Sequence, residues 1–461
     1  VSQMKKIRRS LVLLLLLIFS LVELRQGAIG AQPINVSAST TRSIYLIAKD
    51  SASPTHCVIV QMTENNDGTL SRASEYDGKL PGAPTGAFYC TSNGHLYVKL
   101  ANGSKLNRMI AQFEFGKEGQ VYPANPFILS CPGNGSLVAN LSNRQVLSVD
   151  RLTCTIDLLS VDDSSGILRL KAEQNLKSGS TNKHDSRHDP NDPNDIVTGV
   201  IAVNSPECFF YVSESNFVDP TSDSILQFRV SSVGKILALE PPSVTTECGC
   251  LRGIDTVNRV LYSFMLYGDV RAFSLSPHGQ LKVLSKEPSD RPEEYQVSPG
   301  GAGTDDNLIR IYPVPHAAPR VQLSDLTFDS LHKLLFGFGG TDGNEIFVWT
   351  TSSKGIGKLV KRYWCDQYGD LKETDPVASD NENTMVTPVL VAIATISSDG
   401  RHLYIFRYSL GPQFGTLSQV AVFSYKVSSS GELHKSSNKP CYGIDLSKLS
   451  LISPIVTYGT H

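Results

Sequence analysis

The only clustered imidazoles in this sequence are His184 and His188, in the string KHDSRHDPNDPND. Two histidines four residues apart would serve as proton carriers or metal ligands if a scaffold made them converge. The same string spaces Asp189, Asp192 and Asp195 by three, a supply of carboxylate oxygens for a hard cation such as calcium. It lacks the alternating ligands and the glycine of a calcium-binding loop, and its wealth of Asp, Asn and Pro equally describes a solvated loop. Cys248-Gly249-Cys250 has no matching pair elsewhere, which argues against zinc. The glycine-rich strings PGGAGTDDN and GFGGTDGNE do not end in the Gly-Lys-Ser/Thr of a phosphate loop, and no Gly-x-Ser-x-Gly elbow occurs. No metal and no cofactor is expected.

Whatever holds these residues is a large, near-neutral chain. It has 461 residues, 40% hydrophobic and 19% charged, with a formal net charge of -2. Such a balance creates no field for polyanions, so a nucleic-acid partner is excluded. At the N-terminus Lys5, Lys6, Arg8 and Arg9 precede the apolar run Leu11–Val22, and Ala28-Ile29-Gly30-Ala31 follows with small residues at the cleavage positions. This is the pattern of a secretory signal peptide over 1–30. The alternative is a membrane anchor, but the run spans only about 18 Å as a helix against a hydrocarbon core of about 30 Å. No membrane span is therefore expected after cleavage. The nine cysteines (57, 90, 131, 154, 208, 248, 250, 365 and 441) suit an extracellular protein with two to four disulfides and at least one free thiol. Asn35, Asn102, Asn134 and Asn140 each open an N-glycosylation sequon.

The region after the signal shows little helical periodicity and many short β-branched and aromatic runs separated by Gly, Ser, Asn and Asp. One unit recurs. Its clearest copy is SSDGRHLYIFRYS, then QVAVFSYKV, then SSSGEL, beginning at Ser397. The order returns in SNGHLYVKLA with MIAQFEF, SPECFFYVSES with ILQFRV, NRVLYSFMLYGD with VRAFSL, and LHKLLFGFGGTDG with IFVWTT. Weaker copies are TRSIYLIAKD and GNGSLVANLS, which makes seven. The anchors Tyr45, Tyr97, Val138, Tyr211, Tyr262, Phe336 and Tyr404 lie 41 to 74 residues apart. A four-stranded propeller blade needs about 40 to 50. The surplus falls in Ser178–Asp195, Lys286–Pro319 and Asp366–Thr387, which read as long loops. The expectation is an all-β, seven-bladed β-propeller forming a single domain over 31–461, closed by the segment Ile34–Ser39 or by the C-terminal tail. A pair of β-sandwiches would not repeat one unit order seven times.

The copy at Ser397 resembles the blade string of the seven-bladed lactonase family, which includes propeller-type 6-phosphogluconolactonases and fungal carboxymuconate-lactonising enzymes. The resemblance covers nearly all of the chain after the signal and implies the fold. It also implies acting groups on the axis: Arg and His at the starts of inner strands, a Pro-His-x-His string and a glutamate. This chain departs from that pattern. Counting back from each turn gives Gly86-Ala87, Gly199-Val200, Arg252-Gly253, Ser324-Asp325 and Ala392-Ile393 at the matching pairs. Only Arg252 survives, and the expected glutamate is absent from SFMLYGD.

Two function classes follow. One is a non-catalytic binding protein that takes a small carboxylate or sugar-acid ligand, or an extracellular protein, through its long loops and central channel. The other is an extracellular lactonase or lactone-forming cycloisomerase. In either, Arg252 is the candidate anchor. Asp325 would orient it or accept a sugar hydroxyl, or else form a structural ion pair with it. His184 and His188 are the candidate imidazoles from a loop, and the protein is expected to act as a monomer. The mature chain is expected to begin near Ala31 outside the cell. N-terminal sequencing of the secreted protein checks this, and an intact N-terminus recovered from membranes would refute it.

Overall fold

The computed structural model describes residues 42–458 apart from the internal stretches 177–194, 287–322 and 374–392 and shorter turn and loop segments. The chain forms seven antiparallel sheets of four or five strands, arranged in a ring as a seven-bladed β-propeller. Blades 2 to 7 begin with the inner strands Ala83–Cys90, Leu137–Ser142, Asp195–Val203, Cys250–Asp255, Leu323–Asp329 and Ile393–Ile396. Their second strands are His95–Ala101, Gln145–Asp150, Phe209–Asn216, Val260–Phe264, Leu334–Gly339 and His402–Leu410.

Blade 1 is composite. Its inner strand, Leu449–Tyr458, comes from the far end of the chain and pairs antiparallel with Arg42–Asp50, followed outward by His56–Glu64 and Leu70–Lys79. The C-terminal tail therefore closes the ring, and Ile34–Ser39 lies outside the described residues. Among the described residues no helix is long and apolar enough to cross a membrane.

Six of the seven sequence anchors stand on second strands. Val138 does not: it lies on the inner strand of blade 3, and the residue on the second strand that packs as the other anchors do is Leu147. Blade 3 has no Leu-Tyr pair to mark its second strand, and its inner strand is equally apolar, so pattern alone selected the wrong one. The stretch Asp366–Thr387 also differs from a plain loop. It opens with a hairpin at Asp366–Gly369 and adds a fifth strand, Leu371–Glu373, to blade 6.

Second strands read as unbroken apolar runs because a blade is covered on both faces. In blade 7, Leu403 and Ile405 pack with Leu334, Phe336 and Val348 of blade 6. Tyr404 and Phe406, on the opposite face, pack with Ile44, Leu46 and Val60 of blade 1. Outer strands need no such run. Leu168–Asn175 buries its first residue and leaves the next three exposed.

Blades are also latched through polar atoms. The buried Tyr97 hydroxyl of blade 2 donates to the Gly166 carbonyl of blade 3 at 2.8 Å, and Tyr211 of blade 4 donates to Gly279 of blade 5 at 2.6 Å. Burial pushes the Tyr211 hydroxyl well above the usual phenol range, so it stays a donor. The accepting glycines occupy outer hairpin turns with φ of +68° and +83°. At Gly279 a side chain would also overlap the ring of Phe209 on the preceding blade, whereas at Gly234 (φ +78°) a Cβ would meet nothing within 4 Å. Gly234→Ala should therefore carry only the backbone strain, about 1 kcal/mol. Gly279→Ala should cost about 2–4 kcal/mol, because it adds the steric conflict. Denaturant melts of the two variants check the ranking, and equal losses would show that the seam is loosely packed.

Candidate functional site

The three long stretches of the sequence precede inner strands. Each leads into the first residues of an inner strand: Ser178–Asp195 into blade 4, Lys286–Pro319 into blade 6, and Asp366–Thr387 into blade 7. On that side the inner strands carry a recurrent irregularity. Each of five has one residue more than its partner strand in its first half: Thr85, Thr198, Arg252, Ser324 and, in blade 1, Ile452. In blades 1, 2, 4 and 6 the extra residue lies opposite the second and third residues after the anchor, as at Lys99/Leu100 and Ser213/Glu214. In blade 5 it lies two residues deeper, opposite Tyr262/Ser263, and it is Arg252. A β-bulge turns the strand and re-aims the residues around it, and bulges gather next to functional sites.

The bulges explain an error in counting back from the turns. In blades 2 and 4 the bulge residues are Thr85 and Thr198, one residue before the pairs Gly86-Ala87 and Gly199-Val200 chosen by counting. The missed signal was a polar residue directly before a strand glycine: Thr85-Gly86, Thr198-Gly199 and Arg252-Gly253. In blade 6 the residue after the bulge is Asp325 where blades 2, 4 and 5 have glycine.

Asp325 is 4% exposed, and its Oδ2 accepts the Ala394 N–H of blade 7 at 2.9 Å. The corresponding Gly253 likewise faces the next blade, since a Cβ there would sit 3.4 Å from Phe328. The position after the bulge thus points along the ring.

The other acids at the far ends of inner strands are engaged in turns. Asp255 Oδ1 accepts the N–H groups of Val257 and Asn258, both at 3.0 Å, and Lys333 Nζ of blade 6 lies 3.4 Å from Oδ2. Asp329 Oδ1 accepts the Leu331 N–H at 2.8 Å while Oδ2 meets the His332 ring at 2.7 Å. Burial raises the Asp329 carboxyl above its ordinary range, with the contacts to His332 opposing the shift.

Charges buried between strands are similarly engaged. Lys99 Nζ donates to Ser148 Oγ of the next blade at 2.6 Å. Arg362 donates twice to Glu345 Oε1, at 3.0 and 2.6 Å, with its guanidinium over the Phe347 ring at 5.4 Å. Cys57 is a buried free thiol, pushed up to about 12 by burial and then by Asp77, and is chemically inert there.

The seven inner strands together contain one arginine, Arg252, and no lysine, histidine or glutamate. His184 and His188 lie outside the described residues, as do Asn35, Asn102 and Asn134. Asn140 stands on the inner strand of blade 3, paired with Val146. Among the described residues no three His, Cys, Asp or Glu side chains group as metal ligands. Along the backbone, the first halves of these inner strands thus place one arginine and three hydroxyl-bearing residues at bulges. Asp325→Ala should cost about 1–3 kcal/mol by stranding the Ala394 N–H. Thermal melting checks it, and an unchanged melt would mean that this blade contact contributes nothing.

No family model matches the chain, and no curated protein does. Solved structures do. A candidate 6-phosphogluconolactonase from Bacteroides fragilis NCTC 9343 superposes with a TM-score of 0.54 at 11% identity, covering 92% of this chain and 100% of its own. Another, from Bacteroides uniformis ATCC 8492, gives 0.53 at 15% identity, covering 91% and 100%. The blade string's resemblance to lactonase-type propellers thus has its counterpart in solved structures, and at this identity the likeness is one of fold.

Proposed function

We propose that this chain is a secreted, lactonase-like propeller that binds a small carboxylate or sugar acid at the loop-bearing end of its axis, without turning it over. The observation that carries the reading is the position of Arg252. It is the sole cation on the inner strands, and its bulge lies two ladder positions deeper than those of blades 1, 2, 4 and 6. A guanidinium offers a planar fork of donors matched to two carboxylate oxygens. The equivalent bulges of blades 2, 4 and 6 hold Thr85, Thr198 and Ser324, residues with hydroxyls suited to a polyol. Opening or closing a lactone also requires a group that moves a proton, usually His or Glu, and the inner strands carry neither. Specificity would then come from the long loops.

A lactonase reading draws on the printed descriptions of the two Bacteroides structures. Under it the imidazole would be supplied from outside the inner strands, with His184 and His188 as candidates.

Arg252→Ala is expected to lower affinity for a small sugar acid at least tenfold while leaving the melting temperature unchanged. Calorimetry against a panel of sugar acids and lactones, with a parallel hydrolysis assay, checks both readings. Wild-type binding that the variant retains would remove Arg252 from the site. Lactone turnover abolished by His184→Ala or His188→Ala would establish the enzyme instead.

A further inference from the structure

Blades 5 and 6 end their inner strands in turns of one design, DTVNR from Asp255 and DSLHK from Asp329. In both, the buried Asp carboxylate accepts the backbone N–H groups of the third and fourth residues, so the acid makes the turn. In both, the last residue is a base in the left-handed region, Arg259 at φ +54° and Lys333 at φ +57°. Each base is tied down: Arg259 Nε donates to the Leu275 carbonyl at 3.0 Å, and Lys333 Nζ reaches Asp255 of blade 5. The third residue is then left in solvent, with Val257 73% exposed and Leu331 58% exposed. Turn tips favour glycine and small polar residues, so nothing in this turn geometry calls for an aliphatic side chain there.

The turns also brace one another. Lys333 links the turn of blade 6 to that of blade 5, and Leu331 stands against the turn of blade 7, where a Cβ on Gly400 would sit 2.6 Å from its own Cβ. Strand alternation brings the hairpins between third and fourth strands to the same end of each blade. That end is basic. Lys282 of blade 5, Lys354 and Lys358 of blade 6, and Arg401 and Lys426 of blade 7 are exposed. Against them stands one exposed acid, Glu432, among the described residues of these turns and hairpins, while Ser398 and Asp399 lie outside the described residues.

We propose that this end of blades 5 to 7 is a docking platform for an acidic, leucine-bearing extended segment of a partner protein. Val257 and Leu331 are presented on backbone already fixed by buried carboxylates, so they lose little freedom on binding and serve as anchors. The surrounding bases match carboxylates on the segment and steer its approach. Two aliphatic side chains on neighbouring turns suit one segment of chain, whereas a bilayer is gripped by a broad apolar face. The platform uses no residue of the ligand site proposed at Arg252, so either can fail without the other.

The test uses a short fluorescein-labelled peptide of alternating Glu and Leu, with a Lys-Leu peptide as control, and fluorescence polarisation as the readout. Wild type should bind the Glu-Leu peptide and not the control, more weakly as salt is raised. Val257→Ser/Leu331→Ser and Arg401→Ser/Lys426→Ser should each weaken binding about tenfold or more, with melting temperatures showing that both are folded. Should either double variant not fold, Val257→Ser alone should still weaken binding. No binding of the Glu-Leu peptide, or equal binding by wild type and the variants, overturns the proposal. Vesicles of phosphatidylcholine and phosphatidylserine form the last arm: co-sedimentation that needs Val257 and Leu331, without peptide binding, assigns the platform to a membrane and overturns it too.

Discussion

A blade with two apolar faces cannot exist alone in water, so everything in this fold depends on the contact between one blade and the next. That contact has a defined form. At the seams of blades 4 and 5 and of blades 7 and 1, the buried second strand of one blade presents a ring, Phe209 or His402, and the outer hairpin of the following blade lays a glycine against it. The glycine must take a positive φ to make the turn, and it must lack a Cβ to approach the ring beneath it. At two of the tyrosine anchors the hydroxyl adds a bond to a hairpin glycine carbonyl, Tyr97–Gly166 and Tyr211–Gly279. Close packing at these seams joins each blade to the next.

A ring of joints must also end where it began. Here the last strand, Leu449–Tyr458, completes the first blade, so closure is carried by a backbone ladder between segments some four hundred residues apart in the chain. Such a ladder forms only when the other six blades have brought its two halves together. The adjacent seam then bears on closure more directly than the rest. There the turn glycine Gly68 of blade 1 lies against the ring of His402 on blade 7.

Inner strands meet a different demand. They are covered on both faces by neighbouring blades while one edge borders the axis, and a bulge is the local device that turns a strand without breaking its ladder. Four bulges occupy equivalent ladder positions, which marks them as part of the fold's geometry. Their side chains are threonine, threonine, serine and isoleucine, so the fold does not dictate what stands there. The fifth bulge is displaced and holds the only inner-strand arginine. Identical geometry with varied side chains, on the face into which the long loops lead, is how a common scaffold acquires a particular ligand.

Most of this architecture could be read from the residues alone. The seven-fold recurrence of a turn, a Leu-Tyr strand and a Gly-x-Leu ending follows from each blade solving the same burial problem, so local pattern and global fold agree. It failed at Val138, where a blade without its tyrosine offers two equally apolar strands and nothing local distinguishes the inner one. Arg252 was visible as a residue, but its setting was not. The bulge that sets it apart exists only as a mismatch between two paired strands, a relation no single strand encodes. Asp325 was seen as an axial charge, and its contact with the Ala394 N–H of blade 7 follows from strand placement that the sequence does not encode. His402 was simply part of the repeat string until the turn of Gly68, more than three hundred residues away, was laid upon it. Sequence determines which strands must be buried, because hydrophobic periodicity is a property of one segment. Which side chains meet across a seam was decided only by closing the ring, because that depends on register and on neighbours that the chain brings together last.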